Sequence, residues 1–184
     1  MGVELELSKS KRGISNMSAR YSTGITLASF DVGTNNCAVF VVEDSGRVLL
    51  FDLWSVGFSP STIVPKLDEY LSVWKRCHAF LVENQPSINT RAVKIQLCIE
   101  TYFTTIFGPF KLVFSVSPQL KTFGNKFSTK SQRKRYTVDL AKKILTEEWP
   151  EHDTIFVGAK KKDDLADALC QWVAFCKKIG AINK

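Results

Sequence analysis

Residues 25–36 read Ile25-Thr26-Leu27-Ala28-Ser29-Phe30-Asp31-Val32-Gly33-Thr34-Asn35-Asn36. An apolar, β-branched run ends on a carboxylate and breaks at once into a Gly/Asn turn, the pattern of a buried strand entering a tight reversal. Two similar runs follow, Cys37 to Glu43 and Arg47 to Leu53, divided by Asp44-Ser45-Gly46. Together the three predict a β-meander. The hydrophobic period then changes. A helix is predicted from about Ile63 to Lys75, with Pro65 tolerated in its first turn and Leu67, Leu71 and Trp74 on one face. His78 to Glu83 reads as a buried strand, Asn89 to Phe107 as a helix with a broad apolar stripe, and Lys111 to Val116 as another strand closed by Ser117-Pro118. Gln119 to Lys130 is polar and reads as a loop before a basic helix from about Ser131 to Glu147. After a short apolar run, Thr154 to Val157, a last helix starts near Asp163 with Leu165, Leu169, Trp172 and Cys176 on one stripe. A meander followed by β-α alternation predicts an α/β fold, a mixed five-stranded sheet with helices on both faces.

The chain has 184 residues, about one domain with room for a real core. Its polar start, residues 1–22, reads as a flexible arm, and residues 23–184 as one folded domain. The net charge of +7 is unevenly spread. Between Lys111 and Lys143 lie Lys111, Lys121, Lys126, Lys130, Arg133, Lys134, Arg135, Lys142 and Lys143, against the single acid Asp139. So dense a basic segment calls for a polyanionic partner, nucleic acid being the commonest. Cys37, Cys77, Cys98, Cys170 and Cys176 form no C-x-x-C pair and no zinc spacing with His78 or His152. They read as reduced thiols in an intracellular setting. No apolar stretch is long enough for a membrane span and the start lacks a signal-peptide core, so no membrane association is expected.

Against this basic background, four acids stand out. Asp31 and Glu83 each end a buried strand, where a carboxylate is costly unless paired or bound to a cation. Asp164 and Asp167, in Lys162-Asp163-Asp164-Leu165-Ala166-Asp167, are three apart and project from one face of the last helix. Carboxylates brought from several elements to one sheet edge suit hard divalent ions, and such ions suit phosphate chemistry. Asp163 is a weaker member of the set, since an Asp at a helix start is commonly an N-cap.

These phrases carry a family likeness. Phe30-Asp31-Val32-Gly33-Thr34-Asn35-Asn36, the E-x-Q-P phrase Glu83-Asn84-Gln85-Pro86, Val116-Ser117-Pro118 and the D-D-x-A-D ending Asp163 to Asp167 recur in this order in RuvC-like Holliday junction resolvases of the poxvirus type. The chain resembles that branch from about residue 25 to 178. The resemblance implies an RNase H-like fold and a nuclease that resolves four-way DNA junctions by paired symmetric nicks with 5′-phosphate and 3′-hydroxyl ends. It implies two Mg²⁺ per site, replaceable by Mn²⁺, with Asp31, Glu83, Asp164 and Asp167 as metal-binding and catalytic acids. No small-molecule cofactor is expected. Lys121, Lys130, Gln132, Arg133, Lys134 and Arg135 are implied DNA contacts, with Asn36, Gln85, Lys160 and Lys161 as weaker ones. A homodimer is implied, and the apolar helix from Asn89 to Phe107 is the candidate interface. If the setting is also poxvirus-like, the protein would act on branched or concatemeric viral genomes in the host-cell cytoplasm.

Other functions meet obstacles in the sequence. An actin-like kinase shares Asp-x-Gly-Thr at its phosphate loop, but 184 residues leave no room for its second lobe. A DNA-binding module without activity would have no need of all four acids. Another RNase H-like nuclease, acting on hybrids or on flapped DNA, remains the alternative.

Overall fold

The computed structural model describes residues 21–54, 57 and 59–182. The expected arm thus lies outside the described residues except for its last two positions. Five strands form one sheet: β1 (Leu27–Val32), β2 (Cys37–Val42), β3 (Val48–Trp54), β4 (Ala79–Glu83) and β5 (Leu112–Val116). Their order is β3-β2-β1-β4-β5. The first three pair antiparallel, while β4 pairs parallel with both β1 and β5. This is the expected mixed sheet.

Strand alternation sorts side chains between two cores. Ala28, Phe30 and Val32 of β1, with Phe80 and Val82 of β4, face one core, which holds Trp54, Trp74, Ile95, Ile99 and Phe103. Leu27 and Ala79 face the other, with Phe40, Leu145, Trp149, Leu165, Leu169 and Trp172. The first core is covered by α1 (Pro60–Asp68), α2 (Leu71–Arg76) and α3 (Thr90–Phe107), the second by α4 (Lys130–Glu148), α5 (Asp153–Gly158) and α6 (Lys162–Lys178). Helices therefore cover both faces. No helix among the described residues is long and apolar enough to cross a membrane, and the five cysteines are free thiols.

Two elements depart from expectation. The helix expected over 63–75 starts earlier, at Pro60, because Ser59 N–H is capped by Thr62 Oγ1 at 2.8 Å and proline suits a first helical turn. It breaks near Tyr70, whose hydroxyl donates to Asp52 Oδ2 at 3.0 Å. Trp74 Nε1 donates to Leu67 O across the break at 2.7 Å, so Leu67 and Trp74 of the expected stripe still reach the core, with Leu71 partly buried against it. The second departure is the loop after β5, which contains a 3-10 turn at Leu120–Thr122. Phe123 closes it in the left-handed region (φ 54), a costly conformation for a residue with a side chain, and Gly124 continues at φ 80.

Candidate active site

The parallel register of β1 and β4 pairs Ser29 with Leu81 and Phe30 with Val82. One step further, the same register sets Asp31 beside Glu83, both on the α6 face of the sheet. On α6, Asp164, Asp167 and Gln171 follow the i, i+3, i+7 spacing of a single stripe. Gln171, wholly buried, donates from Nε2 to Ser29 Oγ (3.0 Å) and to Phe30 O (3.2 Å). This bond fixes the acidic stripe of α6 against the acidic end of β1. The spacing to Asp164 and Asp167 was visible in the sequence, but nothing there showed that Gln171 had a partner.

The centre of the cluster is a lysine. Lys121, 3% exposed, projects from the 3-10 turn. Its Nζ lies 2.9 Å from Asp31 Oδ1, 2.6 Å from Glu83 Oε2 and 2.6 Å from Asp167 Oδ2. Burial pulls its pKa down, but these three acids outweigh burial and hold it above the usual lysine range. One ammonium cannot balance four carboxylates, of which Glu83 is buried and Asp31, Asp164 and Asp167 partly so. Burial and the charge of Glu83 push Asp31 up to about 8 despite Lys121, and burial with the charge of Asp31 pushes Asp164 up to about 6. Asp167 is raised by burial as well. The cluster is thus short of positive charge.

Neighbouring polar groups orient the acids. Asn36 Nδ2 donates to Asp164 Oδ2 at 3.2 Å. The turn that carries it is closed by Gly33 N–H to Asn36 O at 2.9 Å, and a Cβ on Gly33 would come within 2.7 Å of that same oxygen. Glycine is needed there for close approach. Gln85 Nε2 lies 3.4 Å from Glu83 Oε1, and its backbone N–H donates to Gln96 Oε1 at 2.7 Å. Gln96, buried on α3, also donates to Glu100 Oε1 at 2.9 Å. The link from Gln96 to the E-x-Q-P loop was not foreseen.

The basic residues divide into two groups. Lys134 pairs with Asp163, and Arg135 reaches Asp139 at 3.7 Å. Gln132 is the N3 residue of a capping box with Thr129: each side chain bonds the other residue's backbone N–H at 3.2 Å. Lys126, Lys130, Arg133, Lys160 and Lys161, by contrast, make no ion pair among the described residues. Lys160 and Lys161 line a shallow cleft with Lys134, Arg135 and Asp163.

The donors are all carboxylate oxygens, suited to a hard cation. Among the described residues no three metal-binding side chains are gathered as a ready ligand set. The cation they do hold is the ammonium of Lys121. The cluster is therefore built for positive charge, with the lysine at its centre.

Comparison with known proteins places the chain in a family. A family model of the Poxvirus A22 protein matches residues 25–178. The chain belongs to that family. The A22-family chain is 40% identical to the uncharacterized protein 97L of Invertebrate iridescent virus 3, over 60% of this chain and 54% of that protein. It is 32% identical to the uncharacterized protein 170L of Invertebrate iridescent virus 6, over 59% and 54%. It spans about half the length of these curated relatives. Its fold matches that of the Fowlpox virus resolvase in complex with Holliday junction DNA, with TM-score 0.64 and 14% identity, covering 84% of this chain and 99% of that one. T. thermophilus RuvC, also solved with a Holliday junction substrate, matches with TM-score 0.54 and 18% identity, over 86% and 99%. The five-stranded mixed sheet of the A22-family chain is thus the RuvC-like fold expected from its motifs.

Proposed function

We propose that this A22-family protein is a structure-selective DNA endonuclease that resolves four-way junctions by paired symmetric nicks. The observation that carries the reading is the convergence of Asp31, Glu83, Asp164 and Asp167 from β1, β4 and α6 on one partly buried patch short of positive charge. The RuvC-like fold and the unpaired cations beside the patch support it. Residues 23–184 form the nuclease domain. We infer two Mg²⁺ per site, with Mn²⁺ able to substitute, held by these four acids. Bound there, a divalent cation supplies Lewis-acid stabilisation of the charge that builds on the phosphate oxygens during hydrolysis.

The rest of the site belongs to the chain. Asn36 orients the Asp164 carboxylate, and Gln85 with Gln96 orients Glu83. Lys121 keeps a fixed positive charge where a phosphate would meet the acids, lowering the repulsion between the two. Lys130, Arg133, Lys160 and Lys161 contact backbone phosphates and set the strand's direction across the site. The products carry 5′-phosphate and 3′-hydroxyl ends.

Two symmetric cuts call for two sites related by a two-fold axis. We assign the dimer contact to the outward face of α3. There Leu97 and Ile106 are about half exposed, and with Cys98, Thr101 and the α1 residues Pro60 and Val64 they line an apolar groove of about 520 Å³. An apolar groove of this kind fits an isologous contact with a second copy. The setting we propose is viral genome processing in the host-cell cytoplasm.

The test is nicking of labelled four-way junctions, RNA–DNA hybrids and linear duplexes in Mg²⁺, with Asp164→Asn as control. Paired cuts on the junction, lost in the variant, are the expected result. Cleavage of hybrids alone would move the protein to another nuclease class. Binding without any cut would refute catalysis.

A further inference from the structure

The loop after β5 folds back on the start of α4 to form a cleft of about 730 Å³, within the roughly 300–1,000 Å³ typical of small-molecule sites. Two left-handed residues, Phe123 and Gly124, turn the chain sharply after the 3-10 turn. The Phe123 side chain still packs against the core. The segment 124–130 thereby returns as one wall of the cleft, with the first turns of α4 beside it. The cleft and the acidic cluster share the same 3-10 turn: Lys121 points into the acids, while its neighbour Thr122 lines the cleft.

The lining has a distinct chemistry. Lys126, Lys130 and Arg133 all border the cleft, no acid does, and none of the three is ion-paired among the described residues. Phe127 is half-buried, its ring centroid 5.0 Å from that of Tyr136, which backs it. Asn125 Nδ2 donates to Tyr136 Oη and to Thr122 O, each at 3.0 Å. Aromatic ring and amide are thus held in place by protein contacts, and the Asn125 carbonyl oxygen is left as an acceptor. Cations fit a phosphate, the ring fits the face of a base, and the amide fits a base edge. An inorganic anion would have no use for the ring, and an apolar ligand none for the three cations.

We propose that this cleft takes a single unstacked nucleotide of the DNA strand next to the cut, its base against Phe127 and its phosphate among Lys126, Lys130 and Arg133. The inference rests on the nuclease reading above and adds a source of substrate selectivity. Bases inside a linear duplex are stacked on both sides, and extruding one gives up that stacking and its pairing. At a branch point the stack is already interrupted, so the cleft is filled at less cost there. Stacking of a base on an aromatic side chain repays part of that cost and tolerates any sequence, because every base has a π-face.

The experiment uses four-way junctions carrying 2-aminopurine at successive positions around the crossover, titrated to saturation with the full chain in EDTA. One position is expected to change fluorescence by about twofold or more as the probe leaves the DNA stack for the ring. The signal should be lost in Phe127→Leu and kept in Phe127→Tyr. Phe127→Leu should also lose about tenfold in its preference for junction over linear duplex. Thermal melting of each variant separates a local effect from misfolding. A saturated junction with no responsive position, or a signal unchanged in Phe127→Leu, overturns the cleft while the junction reading stands. Failure of the wild type to bind or nick any branched DNA overturns the nuclease reading and the cleft with it.

Discussion

Helices α3 and α6 cover opposite faces of the same sheet, yet they are built in opposite ways. α6 is buried on nearly every side: Leu165, Leu169, Trp172 and Cys176 pack into the core, while Asp164, Asp167 and Gln171 face the end of β1. α3 buries Ile95, Ile99 and Phe103 and leaves Leu97 and Ile106 open to solvent. Phe103 stacks on Phe80 of β4 with ring centroids 3.7 Å apart. A helix that carries acids must hold them rigidly among buried charge, so packing surrounds it. A helix with only one packed side retains an apolar face for a partner. Packing encloses the acids on one side of the sheet and leaves an apolar face open on the other.

The largest effect that tests this contrast is Trp172→Ala, expected to cost about 3–5 kcal/mol in urea unfolding and to lower nicking with it. A cost below about 1 kcal/mol would mean that α6 is not rigidly held. Lys121→Met comes next. Taking the buried ammonium from three largely enclosed carboxylates should destabilise the protein in EDTA by about 3–5 kcal/mol, and added Mg²⁺ should restore part of the melting temperature. An unchanged melting temperature would show that the lysine does not hold the acids together. Gln171→Leu strands Ser29 Oγ and Phe30 O and is expected to cost about 1–3 kcal/mol. It should also raise the Mg²⁺ concentration needed for half-maximal nicking, a shift that lost packing by itself would not produce. The smallest effect on stability is expected on the open side. Leu97→Glu with Ile106→Glu should stay within about 0.5 kcal/mol of wild type per site while sedimentation shifts from dimer to monomer. A monomeric wild type, or a variant still dimeric, would remove α3 from the interface.

Much of this molecule was legible in the chain. Strand alternation and helical period alone predicted the sheet and its two helical layers, because burial of apolar side chains repeats with the geometry of each element. The i, i+3 spacing of Asp164 and Asp167 likewise fixes them on one face wherever that helix lies. The break at Tyr70 was not legible, because it depends on a hydroxyl bond to Asp52 on another element. Lys121 was readable as a basic residue near the site. That it lies buried among Asp31, Glu83 and Asp167 was not, since its partners are 90, 38 and 46 residues away in sequence. Asn36 and Gln85 read as weaker DNA contacts, and the sequence held no sign that in the structure they touch Asp164 and Glu83. Local periodicity is a property of neighbours along the chain, so the sequence by itself determined the elements, their faces and the acids at their ends. Charge compensation and side-chain orientation arise between elements that meet only on folding, so the tertiary structure alone decided which cation the acids hold and which cations make no ion pair among the described residues.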